Sequence, residues 1–337
     1  MKSIKILPLI AAVLISGCAK SPSTNYGKLA QMEFDAWVSV HRQAGWEETP
    51  LGAWIVEKTD NPAGEALGTV DDYPYMRLSY TVTDLDGTVN TTTEKAVAQR
   101  IGTYNQSYYY GPQMTYRGSN GIYAGVEEAL DGIHVGGSCK VIVPGWLLTH
   151  DRYSTKQKYL DSMTQSADAL IYEFTVTDVV KDVNEWEMGI LKATLGDEFA
   201  KADSLAEGVY YVCDREPDDE TDYEAGNSVY INYICRRMLD GQGVDTNLAD
   251  SAKVFGIYSA SKTYTSTLIN WASAAKDITM TSSNSSVVNG FGTALFNMHS
   301  HEKGRAYMIS AQAYSSSGSG SAIPAYCPLI FEIEFTK

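Results

Sequence analysis

Close to its C-terminal end the chain alternates. Leu329, Phe331, Ile333 and Phe335 fall on one side, and Ile330, Glu332 and Glu334 on the other. A period of two marks a half-buried strand. The Ile323-Pro324 pair ahead of it follows a Gly/Ser run. Proline has a fixed φ and no N–H, so it belongs at a strand's entrance and not in its ladder. Apolar spacings of three and four predict helices instead over residues 27–43, 183–206 and 287–298. In the last of these, Val288, Phe291, Leu295 and Met298 form the stripe.

The pattern occurs twice. GVEEALDGIH (125–134) and GFGTALFNMH (290–299) carry Gly, Ala-Leu and His at the same offsets. SYTVTDLDGTVN (79–90) parallels NYICRRMLDGQGVD (232–245), and each leads to a Gly-x-Tyr, Gly102/Tyr104 and Gly256/Tyr258. LGAWIVEKTDNPAG (51–64) matches EGVYYVCDREPDD (207–219), and ALIYEFTV (169–176) matches PLIFEIEF (328–335). Ordered matches of this kind predict a duplication, with units at 27–182 and 183–337. Strands on either side of one helix, without βαβ alternation, predict an α+β fold. Each unit should be a mostly antiparallel sheet wrapped around a short helix, preceded by an N-terminal helix.

Composition narrows the function. The 337 residues are 44% hydrophobic with a net charge of -15 and no basic stripe, which argues against a nucleic-acid partner. Lys2 and Lys5 precede an apolar run that ends in Ile15-Ser16-Gly17-Cys18. The run is too short to span a bilayer and reads as an export signal over residues 1–18. Ile15-Ser16-Gly17-Cys18 also resembles the bacterial lipobox. That resemblance implies lipidation of Cys18, a tether over 19–26 and an anchored place in a bacterial cell envelope, most simply the outer membrane. Cys139, Cys213, Cys235 and Cys327 leave three disulfide pairings open.

In the second unit the run Tyr233, Asp240-Gly241, Val244-Asp245, Val287-Val288, Phe291, Gly304, Tyr314, Ile323-Pro324 and Leu329-Ile330-Phe331 resembles the FKBP-type peptidyl-prolyl cis-trans isomerases. The resemblance covers about 207–337 and, more weakly, about 51–179. It implies a catalytic set of Tyr233, Asp245 and Tyr314. It also implies a substrate cup of Val244, Ile278, Val287, Val288, Phe291, Ile323 and Phe331, closed by the Ile-Pro loop. Proline-containing polypeptide segments are the implied partners, with no cofactor and no metal. Val244, Ile278 and Phe291 replace larger aromatics of the family. The long segment 246–277 reads as a flap or a partner surface.

The first unit departs further. Asn90 is expected at the carboxylate's position, Val126 at the floor and Leu148 near the tyrosine, so it reads as a non-catalytic copy. A non-enzymatic chaperone or partner-binding module with an eroded pocket is the alternative for the whole protein. The His299, His301, Glu302 cluster reads as a solvated turn, and the acidic run at 214–224 as a solvated loop.

Overall fold

The structure, a computed structural model, describes residues 25–336 apart from Asn120, Glu220 and 282–284. The expected export signal and Cys18 therefore lie outside the described residues. The first half runs α1 (Tyr26–His41), β1 (Glu47–Glu48), β2 (Trp54–Thr59), β3 (Tyr75–Asp84), β4 (Val89–Thr92), α2 (Lys95–Arg100), β5 (Gln113–Tyr116), α3 (Ala124–Ala129), β6 (Ser138–Val143), α4 (Lys156–Ser162) and β7 (Leu170–Val180). The second half begins with α5 (Val183–Leu195), β8 (Asp203–Ala206), β9 (Val209–Arg215), β10 (Ser228–Arg237), β11 (Gly243–Thr246) and α6 (Ala249–Val254). It continues through β12 (Thr267–Asn270), β13 (Thr279–Met280), β14 (Ser285–Ser286), α7 (Asn289–Phe296), β15 (Lys303–Met308) and β16 (Leu329–Phe335).

The fold is α+β, and its two sheets repeat one topology. The first is ordered β1-β2-β6-β7-β3-β4, with β5 also on β3. The second runs β8-β9-β15-β16-β10, with β11 and β12 both on β10 and β13 and β14 extending β12. The long central pairings are antiparallel in both, and Tyr80 stands opposite Phe174 as Tyr233 stands opposite Ile333. A register shift falls after Val82 in one copy and after Cys235 in the other. Even the irregularities are duplicated.

Each sheet curves over its short helix. Gly125 in α3 and Gly290 in α7 allow the close approach. A Cβ at Gly125 would lie 2.5 Å from Val143 Cγ1, and one at Gly290 would lie 2.7 Å from Met308 Sδ. Phe291, Ala294 and Leu295 of α7 then join Ile231, Ile333 and Phe335 in one buried core. The face of β16 read from sequence, Leu329, Phe331, Ile333 and Phe335, points into it.

The opposite face of the second sheet is covered by α5. Its N-cap Asp182 accepts from the Glu185 N–H at 3.1 Å. Leu191 and Leu195 pack on Tyr307, Ile309 and Ile330, which explains an isoleucine on the polar side of the last strand. The helix expected to reach residue 206 stops at Leu195 because Gly196, at φ +54°, turns the chain out of it. Residues 203–206 form β8 instead.

On the same helix Glu187 is fully buried and accepts from both the N–H and the Oγ of Ser310, the latter at 2.5 Å. Burial holds its pKa above the ordinary carboxylate value, although the Ser310 bonds oppose the shift. A raised folded-state pKa contributes stability below the unfolded pKa and loses it as pH rises through the folded one. Glu187→Gln keeps two hydrogen bonds to Ser310 without the charge. It should raise the melting temperature at pH 7–8, with the gain shrinking towards pH 4, as thermal unfolding across that range would register.

Candidate functional site

The bulge in β10 turns β11 so that Asp245 comes beside Tyr233. Thr246 Oγ1 donates to the Tyr233 carbonyl at 2.6 Å, and Asn247 Oδ1 accepts from the Tyr233 N–H at 2.9 Å. These bonds fix the return strand. The buried Tyr233 hydroxyl then donates to Asp245 Oδ2 at 2.7 Å. Burial, reinforced by the neighbouring carboxylate, pushes the Tyr233 pKa well above its usual value, so the hydroxyl stays a donor. The Asp245 side chain is half exposed, and its other oxygen pairs with Lys262 Nζ at 2.7 Å.

Beneath this pair lies an aromatic floor. The Tyr233 ring sits 5.9 Å from Phe291, and Phe291 stacks on Phe331 at 4.3 Å with the planes 16° apart. Val244, Val287, Val288 and Tyr314 pack on the same core and remain half-buried at its rim. No acceptor for the Val288 N–H is found among the described residues. Burial first, and then the charges nearby, raise the Tyr314 pKa as well.

Ile323 is buried at the end of a loop closed by two backbone bonds between Ser319 and Ile323, at 2.7 and 3.1 Å. Gly318 is required there, because a Cβ would meet the Ile323 carbonyl oxygen at 2.4 Å and φ is +60°. Ile278 is wholly inaccessible, just after the short 3-10 turn Ala275–Asp277, in the same buried core as Phe291 and Phe331. It is a core residue because the chain from β12 dips under α7 before reaching Val287. Tyr233, Phe291, Ile323 and Phe331 share that core, Val244, Val287, Val288 and Tyr314 pack against it, and Asp245 joins through its bond to Tyr233.

The segment 246–277 contains a motif that the first copy shares. After α2 and after α6 the chain makes the same tyrosine loop. Tyr104 stacks on Tyr110 at 5.4 Å, and Tyr258 on Tyr264 at 5.2 Å. Lys95 lies 5.4 Å from the Tyr104 ring and Lys253 lies 5.5 Å from that of Tyr258. In the second unit this loop delivers Lys262 to its own Asp245. The first unit's loop reaches across to the second unit.

Tyr109 N–H donates to the Ser321 carbonyl at 2.9 Å. Arg237, only 1% exposed, donates to the carbonyls of Ser107 at 3.0 Å, Tyr108 at 3.4 Å and Ala322. Its guanidinium also forks onto Asp240 at 2.9 and 3.0 Å and lies 5.4 Å from the Tyr109 ring. The Ile-Pro loop is thus held from outside by the first unit and carries Ile323 on its inner side. Sequence reasoning missed Arg237, Tyr109 and Lys262; the recurrence of Gly-x-Tyr with a second tyrosine six residues on was the signal that could have exposed the loops.

The first unit's counterpart site differs from its expected composition. Thr91, opposite Val82, holds the place of Asp245, opposite Cys235. Asn90 is exposed and donates to Asp84 at 2.5 Å; the bulge shifts the strand by one residue. Cys139 opposite Phe174 matches Gly304 opposite Ile333, which carries Tyr314 onto Thr149 and not Leu148, with His150 next. Val126 does match Phe291, three residues past each helix's N-cap.

Elsewhere, Glu302 is buried and accepts from Tyr211 at 2.7 Å and from the His299 N–H at 2.9 Å. Among the described residues no group of three or more His, Cys, Asp or Glu is arranged to hold a metal, and the four cysteines are free thiols.

Residues 219–336 match the model for the FKBP-type peptidyl-prolyl cis-trans isomerase family. No curated protein matches the chain. Among solved structures, a peptidyl-prolyl cis-trans isomerase from Pseudomonas syringae is 22% identical over 46% of this chain and 92% of its own, with a TM-score of 0.32. The three FKBP domains of wheat FKBP73 align with 84% of this chain and 93% of their own at 12% identity, with a TM-score of 0.29.

Arg237→Ala leaves three carbonyls without their donor and Asp240 with only the Gln242 N–H. Loss of a buried charged partner costs about 3 kcal/mol or more, which urea unfolding of the whole chain would measure. A loss below about 1 kcal/mol, the range of an exposed pair, would show that the guanidinium does not hold the units together.

Proposed function

We propose that the second unit binds X-Pro segments of other polypeptides and speeds their cis/trans exchange. The observation that carries this reading is the Tyr233–Asp245 pair set over the Phe291–Phe331 floor, within the segment that matches the isomerase family. Rotation about an X-Pro bond faces ~18–20 kcal/mol because the C–N bond is partly double, and uncatalysed exchange takes tens of seconds or more. Twisting the amide breaks that resonance and leaves a less polar carbonyl. An apolar cup that excludes water therefore favours the twisted state over the hydrated planar one.

In this reading Phe291, Phe331 and Ile323 enclose the proline ring. The Val288 N–H and the Tyr314 hydroxyl orient the flanking carbonyls. Asp245 fixes the Tyr233 ring and takes no proton. No nucleophile, metal or cofactor enters the step. We further propose that the chain is an envelope lipoprotein held to a membrane through Cys18. Among the described residues no helix is long and apolar enough to cross one.

A second reading has its own observation. Lys262 neutralises Asp245 at the rim, and Phe291 is closed against Phe331. A cup occupied in this way suits a non-catalytic chaperone or partner-binding module that keeps the fold.

A prolyl isomerisation assay on residues 21–337 separates the two. On the enzyme reading, Asp245→Ala and Tyr314→Phe each lower kcat/KM by about tenfold, equivalent to ~1.4 kcal/mol, with unchanged unfolding midpoints. Rates at the uncatalysed level across several X-Pro peptides reject catalysis and leave binding.

A further inference from the structure

The first unit's cup is open where the second unit's is filled. A cavity of about 360 Å³ is bounded by Tyr80, Thr91, Tyr123, Val126 and Tyr172, with apolar walls between them. Its origin can be traced side chain by side chain. Val126 stands where Phe291 stands in the second unit, so the ring that would stack across the cup is missing. Thr91 stands where Asp245 does, so Tyr80 lacks the acceptor that Tyr233 has.

Three tyrosines line this space. Among the described residues no hydrogen-bond partner is found for the hydroxyls of Tyr80, Tyr123 and Tyr172, although Tyr123 and Tyr172 meet edge to face at 6.4 Å. Burial raises the pKa of Tyr80, and burial with the two neighbouring tyrosines raises that of Tyr172, so both are donors at neutral pH. These hydroxyls are not among the buried polar atoms that lack a partner, so each still meets solvent in the cavity. An acceptor entering this space would take the place of that water. Among the described residues no Asp, Glu, Lys or Arg lines the cavity, and His150, stacked on Tyr123 at 4.7 Å, marks its rim. A carboxylate or phosphate head group would find no cation there. The volume lies at the lower end for ligand pockets, ~300–1,000 Å³, and suits one large side chain with its adjoining peptide group.

We propose that this cavity is a second, non-catalytic polypeptide-binding site. It takes one large uncharged apolar side chain, whose adjoining backbone carbonyl accepts from the tyrosine hydroxyls. That the occupant is a polypeptide rests on the reading of the second unit; its neutral, acceptor-bearing chemistry rests on the cavity alone. Linked to the second unit in one chain, such a site would raise the local concentration of a captured segment near the Ile323 cup.

The test is a titration of residues 21–337, tyrosine-ring labelled for NMR, with acetyl-Ala-Phe-Ala-amide. It reads binding directly, so its outcome is independent of any isomerase activity. Saturable shifts are expected in wild type. Val126→Phe restores the missing ring and should weaken binding by about tenfold or more, ~1.4 kcal/mol, with an unfolding midpoint equal to or above wild type. Tyr80→Phe keeps the ring, loses one donor and should weaken binding about threefold to tenfold. Absence of saturable binding, or equal affinity in Val126→Phe, overturns the site. Benzyl alcohol binding as tightly as the peptide overturns the polypeptide assignment.

Discussion

A guanidinium that leaves water must have its donors satisfied, and at Arg237 that requirement joins the two halves of the molecule. Its acceptors come from both units, so neither can shift without leaving a buried donor bare. The contact is polar, directional and costly to break. Tyr109 completes it by stacking on the guanidinium and bonding to Ser321. The Ile-Pro loop, which carries a wall of the second unit's cup, therefore owes its position to a tyrosine loop in the first.

The two cups show how one backbone supports opposite chemistry. Strand order, bulge and helix-to-sheet glycine are the same in both. Changing a carboxylate to Thr91 and a phenyl to Val126 turns a filled cup with an ion-paired rim into an open neutral one. The change that removes the carboxylate and the phenyl ring also makes room. Loss of a motif residue and loss of a binding site are separate events, because the first concerns charge and the second concerns volume.

Much of this was legible in the order of residues. The alternation ending at Phe335, the stripe on α7 and the duplicated runs all reflect short-range periodicity imposed by one buried face, and they led directly to the α+β sheets. Features that depend on a single-residue offset were not legible. The bulge after Val82 moves Thr91 into the place assigned to Asn90, and no composition signal marks it. The end of α5 at Gly196 was misread because the apolar spacing continues through Phe199, which packs beside β9 after the chain has turned. Arg237 was invisible for another reason: its partners at Ser107 and Ala322 are carbonyls far away in the chain, and any residue type supplies those.

The Ser/Gly run at 315–321 has the composition of a flexible linker, yet it is pinned at Gly318, Ser319 and Ser321. Fixing a backbone costs ~1–2 kcal/mol of conformational entropy per residue. Here that ordering is completed when the chain folds, before any ligand arrives. A segment entering the Ile323 cup thus meets a wall that has no freedom left to lose. Separating the units would return that entropy to the loop and weaken the cup without altering any residue that lines it.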